Sequence, residues 1–258
     1  MKRVLALLLA AVLVFGLTAC GAKEDKTDLN TASWDQIVEA AKGTTVSFYG
    51  WGGDENRNNW LNTTVADYVK ENYDITLEVV GMNIDEILAK LSGEKQAGSK
   101  KGSIDMIWIN GENFYSAKDN GLLWGPFTDK LPNMVNYIDL NDPETLNDFC
   151  MPIEGYEAPY AKAQMVMYAD TAVTPDLPAS AEALMEFANA NPGKVTYPAL
   201  PDFTGSAFVR NLIYEICGWE QFQTMEADYE TVKTAVAPAM EYLRELNPYL
   251  WNEGKTFP

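Results

Sequence analysis

Between residues 44 and 110 the chain switches repeatedly between two apolar periods. Residues 44–51 and 75–82 are β-branched and aromatic runs of strand length. Each is followed by apolar positions at helical spacing: Leu61, Val65, Tyr68 and Val69 after the first, Ile84, Ile87, Leu88 and Leu91 after the second. Asn83, with Glu86 three residues on, marks the start of the second of these helices. Residues 104–110 read as a third strand, too apolar for an edge facing water. Ahead of them, residues 34–42 place Ile37, Val38 and Ala41 on one helical face that Gly43 stops. Three strand–helix units predict an α/β fold, a parallel sheet covered by helices on both faces.

After Gly121 the pattern breaks into a loop-rich stretch with prolines at 126, 132, 143, 152 and 159. Residues 164–169 restore a strand, read as a crossing to a second lobe. Ser180 then caps a helix bearing Leu184, Phe187 and Ala188, which Asn191-Pro192-Gly193 ends before a strand at 194–200. A helix carrying Phe208, Val209, Leu212, Ile213 and Ile216 runs to Gly218, and Val236, Met240, Leu243 and Leu246 mark a final one. The expected organisation is an N-terminal α/β lobe over residues 34–163 and a second lobe over 164–258. That second lobe, with one strand–helix unit and one further helix, is incomplete within this chain.

The first residues bear on compartment. Lys2 and Arg3 precede an uncharged apolar run at 4–18, ending in Leu17-Thr18-Ala19-Cys20-Gly21. This is an export signal over residues 1–19. The run is shorter than the roughly 20 residues needed to span a bilayer. The Leu-Thr-Ala-Cys tetrapeptide resembles the lipobox of bacterial lipoproteins, which implies that Cys20 becomes the lipidated first residue. It would anchor the protein to the membrane on its extracytoplasmic side. Residues 20–33, small, polar and charged, read as a flexible tether.

Removing Lys2 and Arg3 takes Lys+Arg from 19 to 17 against 37 acids, a mature side-chain charge of −20. Such a field repels nucleic acid and favours a cationic solute. Histidine is absent. That excludes thiolate–imidazole metal sites and histidine-based triads. Cys150 and Cys217 have no CxxC spacing; an exported setting permits them to pair, and unpaired burial is the expectation. No metal and no cofactor is expected.

Ligands of open α/β sheets bind beyond the carboxyl ends of the strands. Three loops occupy that position here: Trp51-Gly52-Gly53-Asp54, Asn110-Gly111-Glu112-Asn113-Phe114 and Asp202-Phe203-Thr204-Gly205-Ser206. Each combines glycine with an aromatic ring and a carboxylate or amide. Trp51 and Phe203 can stack on a planar ligand, and Asp54, Glu112 and Asp202 can pair with a cation. Simpler roles exist for each: a core Trp51, a turn at Gly52-Gly53, Asp54 as a first-turn acid, Thr204 or Ser206 as a helix cap. Tyr160 and Tyr168 are of the type that ligates ferric iron, but no adjacent tyrosine pair occurs; Tyr168, on the expected crossing strand, remains a candidate ligand contact. The alternative reading is an extracellular carbohydrate-active hydrolase working through two of the three carboxylates. No Gly-x-Ser-x-Gly, Walker or Gly-x-Gly-x-x-Gly motif occurs.

Several longer motifs carry a resemblance: Trp51-Gly52-Gly53-Asp54, Trp108-Ile109-Asn110-Gly111-Glu112-Asn113-Phe114, Asn191-Pro192-Gly193, Thr196-Tyr197-Pro198, Pro201-Asp202-Phe203, Leu250-Trp251 and Gly254-Lys255-Thr256-Phe257-Pro258. Together they resemble the type II, periplasmic-binding-protein-like solute-binding proteins of ABC importers. Within these they are similar to an uncharacterised branch related to the thiamine, polyamine and iron binders. The resemblance implies two lobes closing on a small solute and a monomer that delivers it to a permease driven by an ATPase, with no catalysis. Members of the branch continue well past the Gly-Lys-Thr-Phe-Pro element.

Overall fold

A computed structural model describes residues 27–256. The export signal, Cys20 and the first part of the tether lie outside the described residues. The chain divides into two compact units after Tyr160.

The first unit is built on three parallel strands in the order β2-β1-β3, with β1 at Thr45–Gly50, β2 at Thr76–Gly81 and β3 at Met106–Ile107. β1 pairs with β2 over its whole length, from Thr45↔Thr76 to Gly50↔Gly81, and with β3 only at Phe48 and Tyr49. The third strand is therefore shorter than residues 104–110 predict, and it lies at the edge of the described sheet. Its shortening has a local cause. Asp105 donates its N–H to the Ser47 carbonyl at 3.2 Å, but the Ser47 N–H is taken by the Asp105 carboxylate at 2.9 Å, so a side chain replaces the ladder.

Helix α1 (Trp34–Ala41) precedes β1, held by a capping box between Ser33 and Gln36, and Gly43 follows at φ +74°. Between β1 and β2 the chain forms α2 (Glu55–Trp60), a π-helical turn (Leu61–Val65) and α3 (Ala66–Tyr73). An i→i+5 turn holds one more residue than an α turn and shifts the phase of the helix beyond it by about 100°. Leu61 is buried, whereas Tyr68, expected on the same face, is exposed. Helix α4 (Ile84–Gln96) begins at Asn83, whose N–H donates to the Glu86 carboxylate at 3.3 Å, and it buries Ile87.

The loop-rich stretch after β3 contains more structure than its prolines suggested. Helix α5 (Gly111–Asp119) buries Phe114 and Ala117, three apart on one face. Pro132 and Pro143 each start a short helix, α6 (Pro132–Tyr137) and α7 (Pro143–Leu146), at the position where a missing N–H costs nothing. A two-stranded antiparallel hairpin, β4 (Asn147–Asp148) and β5 (Met151–Pro152), follows.

The second unit, from Ala161, is helical. Helices α8 (Ala181–Ala190), α9 (Phe203–Cys217), α10 (Tyr229–Ala235) and α11 (Ala237–Leu246) include three that share one core, in which Leu184, Ala188, Phe208, Leu212 and Leu246 are buried together. The α8 Ala181 N–H donates to the Glu215 carboxylate of α9 at 2.7 Å, and the Ala181 carbonyl accepts from the Tyr242 hydroxyl of α11 at 2.5 Å. Burial, and then the Glu215 charge, push the Tyr242 hydroxyl up to about 12.

Two expected strands are not formed among the described residues. Residues 164–169 form no ladder, and Val166, Met167 and Tyr168 are exposed. Residues 194–200 make a single parallel bridge, Val195↔Leu250. β-propensity without a neighbour to take the backbone N–H and C=O groups does not make a strand.

Candidate functional site

The carboxyl ends of β1, β2 and β3 meet around a small pocket that is partly open to solvent. Close backbone approach makes it possible. A Cβ on Gly52 would sit 3.0 Å from the Gly81 Cα, and one on Gly50 would sit 3.1 Å from the Trp108 Cβ. The lining combines Phe48, Leu61 and Val79 with the indoles of Trp51 and Trp108, the Tyr160 ring, and two polar side chains, Asn58 and Arg57. Among the described residues no carboxylate lines it.

Arg57 is the charged group of this pocket. Its guanidinium lies 4.8 Å from the Trp108 ring centroid and 5.8 Å from that of Trp51, both within cation–π range. The loop before it fixes its backbone. Asp54 caps α2 by accepting the Arg57 N–H at 3.0 Å, and the Asn58 amide donates to the Gly52 carbonyl at 2.7 Å. The Nε of Arg57 is buried and has no hydrogen-bond partner among the described residues. Among them no carboxylate forms an ion pair with it. A buried donor left unmade costs roughly 1–3 kcal/mol.

The structure divides the expected site residues. Trp51 forms a wall of the pocket, half exposed, and folds over Gly53, where a Cβ would lie 2.2 Å from its ring. Gly52 provides the close approach to Gly81, and Asp54 is the cap of α2 and does not line the pocket. The second loop turns away. Asn110 precedes α5, Gly111 adopts φ +55° and donates its N–H to the Asp148 carboxylate, Glu112 is exposed and Asn113 half-buried. None of the four lines the pocket; Trp108, two residues before them, does.

The remaining candidates belong to the second unit. Asp202 caps α9, accepting the Gly205 N–H at 2.9 Å, so neither Thr204 nor Ser206 is the cap. Gly205 is buried against the chain before it, and a Cβ there would meet the Pro198 carbonyl oxygen at 2.1 Å. Phe203 and Thr204 are exposed, Ser206 half-buried, and Tyr168 is 91 % exposed. Sequence reasoning missed Arg57 and Asn58 as site residues. The available signal was scarcity: beyond residue 19 the chain has three arginines, and one falls a helical turn after Gly-Gly-Asp.

A second electrostatic feature lies beside α5. Burial pushes the Glu157 carboxyl up to about 8, with the charge of Asp148 adding to it, and its Oε2 is buried without a partner among the described residues. Burial also raises Asp148, against which the Gly111 N–H works. Neither carboxyl lines the pocket. Cys150 is exposed and Cys217 half-buried, and both are free thiols. Among the described residues no group of three or more histidine, cysteine, aspartate or glutamate side chains is placed to hold a metal ion. No helix among them is long and apolar enough to cross a membrane.

Comparison with known proteins identifies the family. Residues 63–256 match the family model described as bacterial extracellular solute-binding protein. The chain is 40 % identical over 231 residues to the protein YnjB of Escherichia coli (strain K12). That alignment covers 89 % of this chain and 59 % of YnjB, so the chain spans little more than half the length of this relative.

Proposed function

Because the chain belongs to the bacterial extracellular solute-binding family, we propose that it captures a small extracytoplasmic solute in the strand-end pocket and delivers it to the permease of an ABC importer. One observation carries the reading: an aromatic-walled pocket whose one charged side chain, Arg57, has no acceptor for its Nε among the described residues. Concave, largely apolar sites with a few convergent polar groups are how proteins hold small ligands. Members of this family are generally not enzymes. In keeping with that, Asp54 and Asp202, two of the carboxylates a hydrolase would need, are engaged as helix caps.

The protein works as a monomer, held at the membrane by lipid on Cys20, with residues 20–33 as its tether. Replacing Cys20 by Ala would then move it from the membrane fraction to the soluble fraction; persistence in the membrane fraction would refute the anchor. The acidic surface acts on approach, drawing cations and excluding polyanions at long range. Binding is decided by the pocket's own groups.

Solute capture without turnover is tested by thermal shift. The melting temperature should rise with the concentration of the correct solute as RT ln(1 + [L]/Kd). The solute should be recovered unchanged, and Trp51→Ala and Trp108→Ala should each abolish the shift. Consumption of the solute would contradict the reading.

A further inference from the structure

We infer that the solute carries an oxyanion, a carboxylate or a phosphate, on a small apolar or aromatic body, and that Arg57 grips the oxyanion. This deepens the solute-binding reading and rests on it.

Three observations converge. The Arg57 guanidinium is held within 4.8 Å and 5.8 Å of two indole centroids, so its position is set before any ligand arrives. Its Nε is buried with no acceptor among the described residues. The rest of the lining supplies no carboxylate, only the Asn58 amide, the Tyr160 ring and apolar groups. A guanidinium offers donors around its edge in a planar fork that matches a carboxylate or phosphate two-to-two. Indole rings attract the cation but accept none of those N–H bonds. The acceptor this geometry lacks is an oxyanion.

Arginine packed on tryptophan also occurs as simple surface cover, its stem shielding the rings. Arg57 differs from such cover in one donor, the Nε, which is buried without an acceptor among the described residues. The long-range field of the chain, negative overall, does not oppose the assignment, since it is screened beyond about 10 Å at ordinary salt.

The test is a calorimetric titration of the purified protein with aromatic pairs that share the ring and differ in charge: benzoate against benzamidine, and phenyl phosphate against phenol. The inference expects benzoate or phenyl phosphate to bind at least about tenfold more tightly than its partner. The preferred member of the two distinguishes carboxylate from phosphate recognition. Arg57→Met keeps the apolar stem on the indoles and should weaken that binding about tenfold to a hundredfold. Arg57→Lys keeps the charge without the fork and should fall between. Equal or tighter binding of benzamidine or phenol, unchanged by Arg57→Met, would overturn the inference and leave solute binding standing. Absence of binding by all four would also overturn the inference, and the solute-binding reading would then stand or fall on the thermal shift alone.

Discussion

At the scale of single residues, two glycines in helices predict opposite outcomes. Gly93 sits inside α4, where an added Cβ would have nothing within 4 Å, whereas a Cβ on Gly205 would lie 2.1 Å from the Pro198 carbonyl oxygen. Gly93→Ala should raise stability by about 0.5–1 kcal/mol through helix propensity and a less flexible unfolded chain. Gly205→Ala should lower it by about 1–3 kcal/mol, because the obstacle is backbone. Denaturant melts of the two variants would separate them. Glu157 supplies the pH dependence. Its folded value, about 8, lies above its ordinary 4.5. Between these values the folded state holds a proton that the unfolded chain has released, so this group lowers stability as pH rises from 4.5 to about 8. Glu157→Gln should remove that dependence. At pH 8.5 it should raise the melting temperature by about 2–4 °C, for roughly 1 kcal/mol once solvent screening is discounted; at pH 4.5 it should change little. An unchanged melting temperature at pH 8.5 would show that Glu157 finds a partner in solution.

At the scale of elements, caps decide more than the loops they sit in. Asp54 and Asp202 resembled ligand carboxylates because both stand in Gly-containing loops at strand ends. In the structure each accepts an N–H three residues on and starts a helix. Asp202→Ala should cost about 1 kcal/mol, and Asp202→Asn, which keeps an acceptor, little; circular-dichroism melts would show it. Periodicity made β1, β2 and most of the helices legible, including their caps at Asn83 and Ser180. It failed where one signal had two meanings. Pro132 and Pro143 read as loop residues but stand at the first position of helices, and residues 164–169 have strand composition but no partner strand among the described residues. Helix α5 was hidden because Asn110-Gly111-Glu112-Asn113-Phe114 read as a strand-end loop, although Phe114 and Ala117 carried its buried face.

At the scale of the whole molecule, the class of protein was more legible than its site. An α/β chain with a parallel sheet, an export signal and family motifs pointed to extracytoplasmic solute binding, and the family match over residues 63–256 agrees. The mature charge of −20 and the acidic loops pointed to a cationic solute, while the pocket presents a guanidinium. Net charge sums a surface; recognition depends on the few groups that lose water with the ligand. Arg57 was not legible because its importance lies in two tryptophans, 6 and 51 residues away in sequence, that the sheet brings to one place.

The most direct measurement is native mass spectrometry of the protein purified without dialysis from cells supplied with rich medium. The account predicts a bound molecule of small mass, released unchanged on denaturation and missing from Trp51→Ala and Trp108→Ala. A ligand retained fully by both variants, or one released chemically altered, would contradict it.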